Sequence, residues 1–314
     1  MKKFITRFFL FIFITILIFP FVTIFTELVK PESFFLRIRD LKGKSSFTWT
    51  KLREVDKITN VDVLILGSSM VYRGIDTRAF DTLGIKTFNF GTSAQTPIQT
   101  EYLVEKYIDK INPKLIIWDI SPNSLTDSGF ESFIDLCSND GVNKEMIDQF
   151  FHLKRFDAVS TLVAVGIKRL FFPKNDFEEE LIKGKDKYIE GGFVERKIEK
   201  SGYNPSINPI YFYPKQNQIQ AIERILKKFN EKQIPTILVA APIHPDRYRT
   251  YENLDYFRQL RSSWSRKFEI VDVFDFNNLK LHPNLFYDMY HLNQHGVVFY
   301  NNELIYNVKP YLCF

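Results

Sequence analysis

Strands alternating with helices predict an α/β protein built on a parallel sheet, and three features of this 314-residue chain support that reading. Short, near-continuous apolar runs recur at 61–66, 115–120, 236–240 and 270–274, as expected of strands buried on both faces. Stretches with helical spacing separate them. Polar turns follow the strands: Gly67-Ser68-Ser69, Gly91-Thr92-Ser93, Ser121-Pro122-Asn123 and Pro242-Ile243-His244. The expected architecture is a doubly wound parallel sheet of five strands with helices on both faces.

The elements follow in order. Lys2, Lys3 and Arg7 precede an apolar run over 8–25 whose only polar members are two threonines. Eighteen helical residues span about 27 Å, close to the thickness of a bilayer core. The run has no polar face and no small-residue cleavage site after it, so residues 1–29 read as an uncleaved membrane anchor. The basic start places the N-terminus in the cytoplasm and the remainder outside, although Lys30, Arg37, Arg39, Lys42 and Lys44 follow the span. Residues 30–60 are mixed and charged, and read as a connector.

A domain over 61–314 then begins with a strand at 61–66. Asp76 can cap a short helix reaching Leu83, and a second strand covers 86–90. Thr96-Pro97, a good N-cap and N1 pair, opens a helix carrying Ile98, Tyr102, Leu103, Tyr107 and Ile108. A third strand covers 115–120. Residues 125–213 break the alternation and read as a mostly helical insertion. Its charged run, 174–199, suits a solvated face, or alternatively a lid over a site at the sheet edge. The alternation resumes with helix 216–231, strand 236–240, helix 253–267, strand 270–274 and helix 294–307.

Composition excludes several classes. With 45% hydrophobic, 25% charged and 16% aromatic residues the chain is globular. Its net charge of +5 is scattered, which argues against a nucleic-acid partner. Two cysteines, Cys137 and Cys313, with no CxxC, make no disulfide framework.

In open parallel sheets, ligands bind beyond the carboxyl ends of the strands, where these polar turns fall. Ser69 sits at the mouth of the first strand. Asp288 and His291, three residues apart, can share one side of a turn, so that the acid holds the imidazole while its other nitrogen faces a hydroxyl. No Gly-Lys-Ser/Thr and no GxGxxG accompanies Gly67, which argues against a phosphate cradle. Asp288, His291 and His295 could ligate zinc only on one continuous helix. Asn293 reads as an N-cap that separates them, and no metal is expected.

Gly67-Ser68-Ser69, Asn89-Phe90-Gly91 and Asp288-Met289-Tyr290-His291 together resemble the SGNH/GDSL hydrolase superfamily. The similarity is greatest to its membrane-anchored branch, related to the teichoic-acid D-alanylation protein and the alginate O-acetyltransferases. It covers roughly residues 60–124 and 215–310. It implies a flavodoxin-like sheet, with Ser69 as nucleophile and His291 and Asp288 completing a triad. The implied oxyanion hole is formed by the N–H groups of Ser69 and Gly91 and the amide of Asn123. The chain departs from the family where Gly-x-Asn-Asp is replaced by Asp119-Ile120-Ser121-Pro122-Asn123.

The implied activity is a cofactor-free, membrane-anchored O-acyltransferase or esterase. It would act outside the cytoplasm on an acyl ester, an O-acetyl group above all, of an envelope polysaccharide or glycolipid. The implied partners are that acylated carbohydrate or glycolipid, the membrane, and a membrane protein that delivers acyl groups. The alternative is a catalytically inactive, glycan-binding or scaffolding member of an envelope assembly system.

Overall fold

The computed structural model describes residues 1–29, 42–43, 46–171, 177–197 and 208–313. Residues 30–41 and 44–45 of the expected connector, and 172–176 and 198–207 of the expected insertion, lie outside the described residues.

Ten strands occur among the described residues: β1 Val63–Leu66, β2 Thr87–Asn89, β3 Leu115–Asp119, β4 Ile182–Lys183, β5 Asp186–Ile189, β6 Phe193–Arg196, β7 Ile210–Tyr211, β8 Thr236–Ala240, β9 Tyr251–Glu252 and β10 Ile270–Asp275. Five form one sheet in the order β10-β8-β3-β1-β2, and every neighbouring pair is parallel. Counted by their place in the chain, these strands run 2-1-3-4-5, the flavodoxin-like order, with its switch point between β1 and β3.

Strand side chains alternate between two cores. Leu64 and Leu66 pack with Tyr102, Leu103, Ile222 and Phe229 from helices Pro97–Ile111 and Gln216–Glu231. Val63 and Ile65 face the other way, onto Val71, Phe80, Val297 and Tyr300 from helices Ser69–Gly74, Thr77–Asp81 and Gln294–Val308. The sheet is covered on both faces, which is why its strands read as unbroken apolar runs. Fully burying one such aliphatic side chain contributes about 1.5–3 kcal/mol.

Three regions differ from expectation. Within the expected connector, helix Thr48–Val55 packs onto the domain, with Leu52 and Val55 in the same core as Leu64. Thr48, Lys51, Leu52 and Val55 share one face, so a charged stretch carries a buried stripe. The insertion begins with helices Phe130–Asp140, Lys144–Leu153 and Val159–Phe171. Its charged run instead folds into the antiparallel sheet β4-β5-β6, because Tyr188, Phe193 and Val194 are buried while Lys187 and Lys197 are exposed. The turn from β5 to β6 passes so close to β2 that a Cβ on Gly192 would lie 2.0 Å from the Asn89 carbonyl oxygen. Only glycine fits there.

The third region is the N-terminus. The backbone is helical over Lys2–Val29. Among the described residues no helix is long and apolar enough to cross a membrane. The side chains at 20, 23–24 and 26–29 lie outside the described residues, so the expected 8–25 run is not wholly contained in them.

Candidate active site

The site lies beyond the carboxyl ends of β1 and β3, at the switch point. β1 ends at Leu66, and after Gly67 the chain turns directly into helix Ser69–Gly74. Ser68 caps that helix, its hydroxyl accepting from the Met70 N–H at 3.5 Å. Ser69 is therefore the first helical residue, with its side chain in a cleft of about 310 Å3.

The opposite wall comes from the loop before the last helix. Its ends are tied by a bridge between Phe286 and Leu292, by the Tyr287 N–H donating to the His291 carbonyl at 3.0 Å, and by the Asn293 N–H donating to the Leu285 carbonyl at 2.9 Å. Inside the loop, Asp288 Oδ1 accepts the N–H groups of Tyr290 and His291, both at 2.8 Å. The carboxylate is thereby held facing the imidazole: His291 Nδ1 lies 2.8 Å from Asp288 Oδ2. Burial works against ionisation of Asp288, but its bonds to His291 hold the carboxyl below its usual range. An ionised carboxylate only accepts, so Nδ1 carries a proton, and in the neutral ring Nε2 is the acceptor. Nε2 lies 2.8 Å from Ser69 Oγ.

Asn293 caps the last helix, its side chain accepting from the Gly296 N–H at 3.1 Å. His295 lies on that helix and is exposed, away from the Ser69–His291–Asp288 line. His244 braces the loop from below through its backbone N–H, which donates to the Met289 carbonyl at 3.1 Å. Burial lowers its pKa. His282 and His152 are exposed.

The expected oxyanion donors divide. The Ser69 N–H faces the first turn of its helix and makes no hydrogen bond among the described residues. Asn123, after β3, lines the cleft. Its Oδ1 accepts from the Tyr251 hydroxyl, while its Nδ2 donor makes no hydrogen bond among the described residues. Gly91 is placed otherwise. It is buried behind the cleft, and its N–H is taken by Asn89 Oδ1 at 3.2 Å. Glycine is needed there for packing, since a Cβ would lie 3.0 Å from the Ser68 carbonyl oxygen and 3.1 Å from the Tyr72 nitrogen.

On that loop Gln95 lines the cleft, and so does Ala94, which is held in a left-handed conformation at φ 45°. Its N–H makes no hydrogen bond among the described residues. The loop is rigid: the Thr92 N–H and hydroxyl both donate to Gln95 Oε1 at 2.9 Å, and Gln95 Nε2 donates to the Thr100 hydroxyl at 2.9 Å. Below it the fully buried Lys51 Nζ donates to the Gly91 carbonyl at 2.5 Å and lies 4.4 Å from the centre of the Tyr72 ring. Sequence reasoning missed Ala94, Lys51 and Tyr251, none of which belongs to a recognisable motif.

A nucleophile bonded to an imidazole that is itself bonded to a carboxylate is equipped for acyl transfer. Burial drives the Asp119 carboxyl up to about 7, while its Oδ1 accepts the Ala241 N–H at 2.8 Å; it stands under the site rather than in it.

A protein-family model matches residues 168–310, less than half of the chain. No curated protein matches the sequence. Among solved structures, a "putative acylhydrolase" from Bacteroides fragilis is 11% identical, with 85% of this chain and 98% of that chain covered at a TM-score of 0.47. A GDSL-like lipase from Bacteroides thetaiotaomicron is 9% identical, with 84% and 98% covered at a TM-score of 0.44. The chain is similar to both in outline.

Proposed function

We propose that this chain is a serine esterase or O-acyltransferase of SGNH type. One observation carries the reading: the Ser69 Oγ to His291 Nε2 distance of 2.8 Å, with His291 Nδ1 held 2.8 Å from Asp288, inside a cleft at the sheet's switch point. Ser69 Oγ attacks an acyl carbonyl while His291 takes its proton, and Asp288 stabilises the imidazolium. The N–H groups of Ser69 and Ala94 and the Nδ2 of Asn123 are the donors available to the tetrahedral oxyanion, each worth about 3 kcal/mol of barrier where such donors have been removed. His291 then returns the proton to the leaving alcohol, and the acyl-enzyme passes its acyl group to water or to a second hydroxyl.

The cleft supports a short acyl group on a polyhydroxyl substrate. Hydroxyl and amide groups of Ser68, Gln95, Ser121, Asn123, Ser124 and Thr126 line its wall beside the apolar Met70 and Ala94, in a volume of only about 310 Å3. An O-acetylated envelope polysaccharide or glycolipid fits that chemistry. The apolar run 8–25 supports a membrane anchor with the domain outside the cytoplasm. Phe8, Phe9, Phe11, Phe13, Ile16 and Leu17 on the first helix are all exposed. A membrane protein that supplies acyl groups is the partner that the transferase form requires.

The test is hydrolysis of an activated acetyl ester and of O-acetylated glycans by the full-length chain. Wild type should release acetate, and Ser69→Ala should lose that activity. Equal rates for the two proteins would refute the assignment, and absence of turnover in both would favour a binding or scaffolding role. Adding a deacetylated glycan as acceptor separates transfer from hydrolysis: acetylated product marks a transferase, and acetate alone marks an esterase.

A further inference from the structure

The β4-β5-β6 sheet of the insertion does not line the cleft, yet its last strand reaches the loop that carries His291. The Tyr287 ring lies parallel to the His291 imidazole, with centroids 5.4 Å apart and planes 8° apart. This is the offset-stacked arrangement that aromatic rings prefer. The Arg196 guanidinium of β6 lies 5.0 Å from the centre of the same Tyr287 ring. Arg196 is held in turn by Asp186 of β5, through contacts of 2.9 and 3.2 Å. Asp186 also receives a bidentate pair of 2.9 Å bonds from Arg73, on the helix that begins with Ser69. The Gln294 side chain closes the connection by donating to the Arg196 carbonyl at 3.3 Å.

We infer that Tyr287, backed by Arg196, is a positioning residue for His291, and that the inserted sheet serves to clamp the imidazole in the plane that faces Ser69. The geometry requires such a device. Asp288 and Ser69 hold the two nitrogens of the ring, but a ring held only at those two atoms can still rock about the axis that joins them. A flat aromatic face removes that freedom. A cation over an aromatic ring, itself paired with a carboxylate, holds the face in place. Arg73 and Arg196 share the one Asp186 carboxylate, so the nucleophile's helix and the histidine's support are referenced to the same point. Burial opposes ionisation of Asp186, but the hydrogen bonds and charges of Arg73 and Arg196 hold its carboxyl below the usual range.

The catalytic consequence rests on the acyl-transfer reading; the clamp itself does not. The experiment therefore has two readouts on the full-length chain, with wild type, Tyr287→Phe, Tyr287→Leu and Arg196→Gln. Histidine-labelled NMR resolves the five imidazoles, with His291 identified by its loss in His291→Gln. Ring-current displacement of the His291 ring protons should be present in wild type and Tyr287→Phe and absent in Tyr287→Leu. The same proteins are then assayed for ester cleavage. Tyr287→Leu should lower kcat about three- to tenfold with KM little changed, Arg196→Gln should lower it less, and Tyr287→Phe should match wild type.

An undisplaced His291 resonance in wild type would overturn the inference whether or not any ester is turned over. So would a Tyr287→Phe variant as impaired as Tyr287→Leu, because the hydroxyl rather than the stacked face would then be responsible. Intact stacking with no turnover, or turnover unaffected by Ser69→Ala, would instead count against the esterase reading alone.

Discussion

Replacing Lys51 with Met should remove a rise in stability with pH that the wild-type protein shows between pH 6 and 9. Lys51 is 0% exposed. Burial drives its pKa from the ordinary 10.5 down to about 7, with nearby Asp135 and Glu54 acting in the opposite direction. From pH 7 to 10.5 the unfolded chain therefore binds more protons than the folded one, and stability rises with pH across that window. Below pH 7 the full cost of burying the ammonium is present. The gap of about 3.5 pH units, at 1.36 kcal/mol each, sets its upper limit near 5 kcal/mol.

Between pH 6 and 9 the wild type should gain about 2–3 kcal/mol relative to Lys51→Met. The variant leaves the Gly91 carbonyl without its partner, a cost of about 1–3 kcal/mol that does not vary with pH. Urea unfolding of both proteins, followed by tryptophan fluorescence at several pH values, gives the difference and cancels the other titrating groups. A difference that stays flat within about 0.5 kcal/mol, or that reverses in sign of slope, would refute the buried-ammonium account.

Other substitutions probe the site itself. Asp288→Asn should lower kcat about 10³–10⁴-fold with KM nearly constant, because the amide cannot hold the His291 tautomer that accepts from Ser69; steady-state kinetics on an activated ester checks this. Asn123→Ala should lower kcat about 10²–10³-fold, and Tyr251→Phe should lower it by less, since the amide is then present but no longer oriented. Gly91→Ala should cost about 1–3 kcal/mol in urea unfolding, because its methyl group would press on the Ser68 carbonyl and the Tyr72 nitrogen.

Much of the fold was legible because a sheet buried on both faces leaves an unmistakable apolar run. Leu115–Asp119 and Thr236–Ala240 are buried at every position. The positions of Ser69, Asp288 and His291 were legible because each lies beside an abrupt structural transition: a strand running into glycine, or a short loop before a capping asparagine. Gly91 shows how the same reasoning misplaces a residue. The family resemblance implies a backbone donor at the glycine after the second strand, but the side chain of Asn89, two residues earlier, takes its N–H.

Ala94 gave no signal, because a left-handed φ at alanine is imposed by its surroundings rather than by its side chain. Tyr251 meets Asn123 across 128 positions of sequence, a distance over which spacing says nothing. Lys51 reads as a connector charge until the helix Thr48–Val55 is seen to bury it. The inserted sheet was hidden for a related reason: strands of two to four residues are too short for a period-two pattern to stand out among lysines and glutamates.

Stoichiometric labelling of the full-length chain with a fluorophosphonate, and mass-spectrometric location of the adduct, reaches the heart of this account. A hydroxyl activated by an imidazole should take one phosphonyl group, on Ser69, and Ser69→Ala and His291→Gln should take none. An adduct on another residue, or equal labelling of all three proteins, would contradict it.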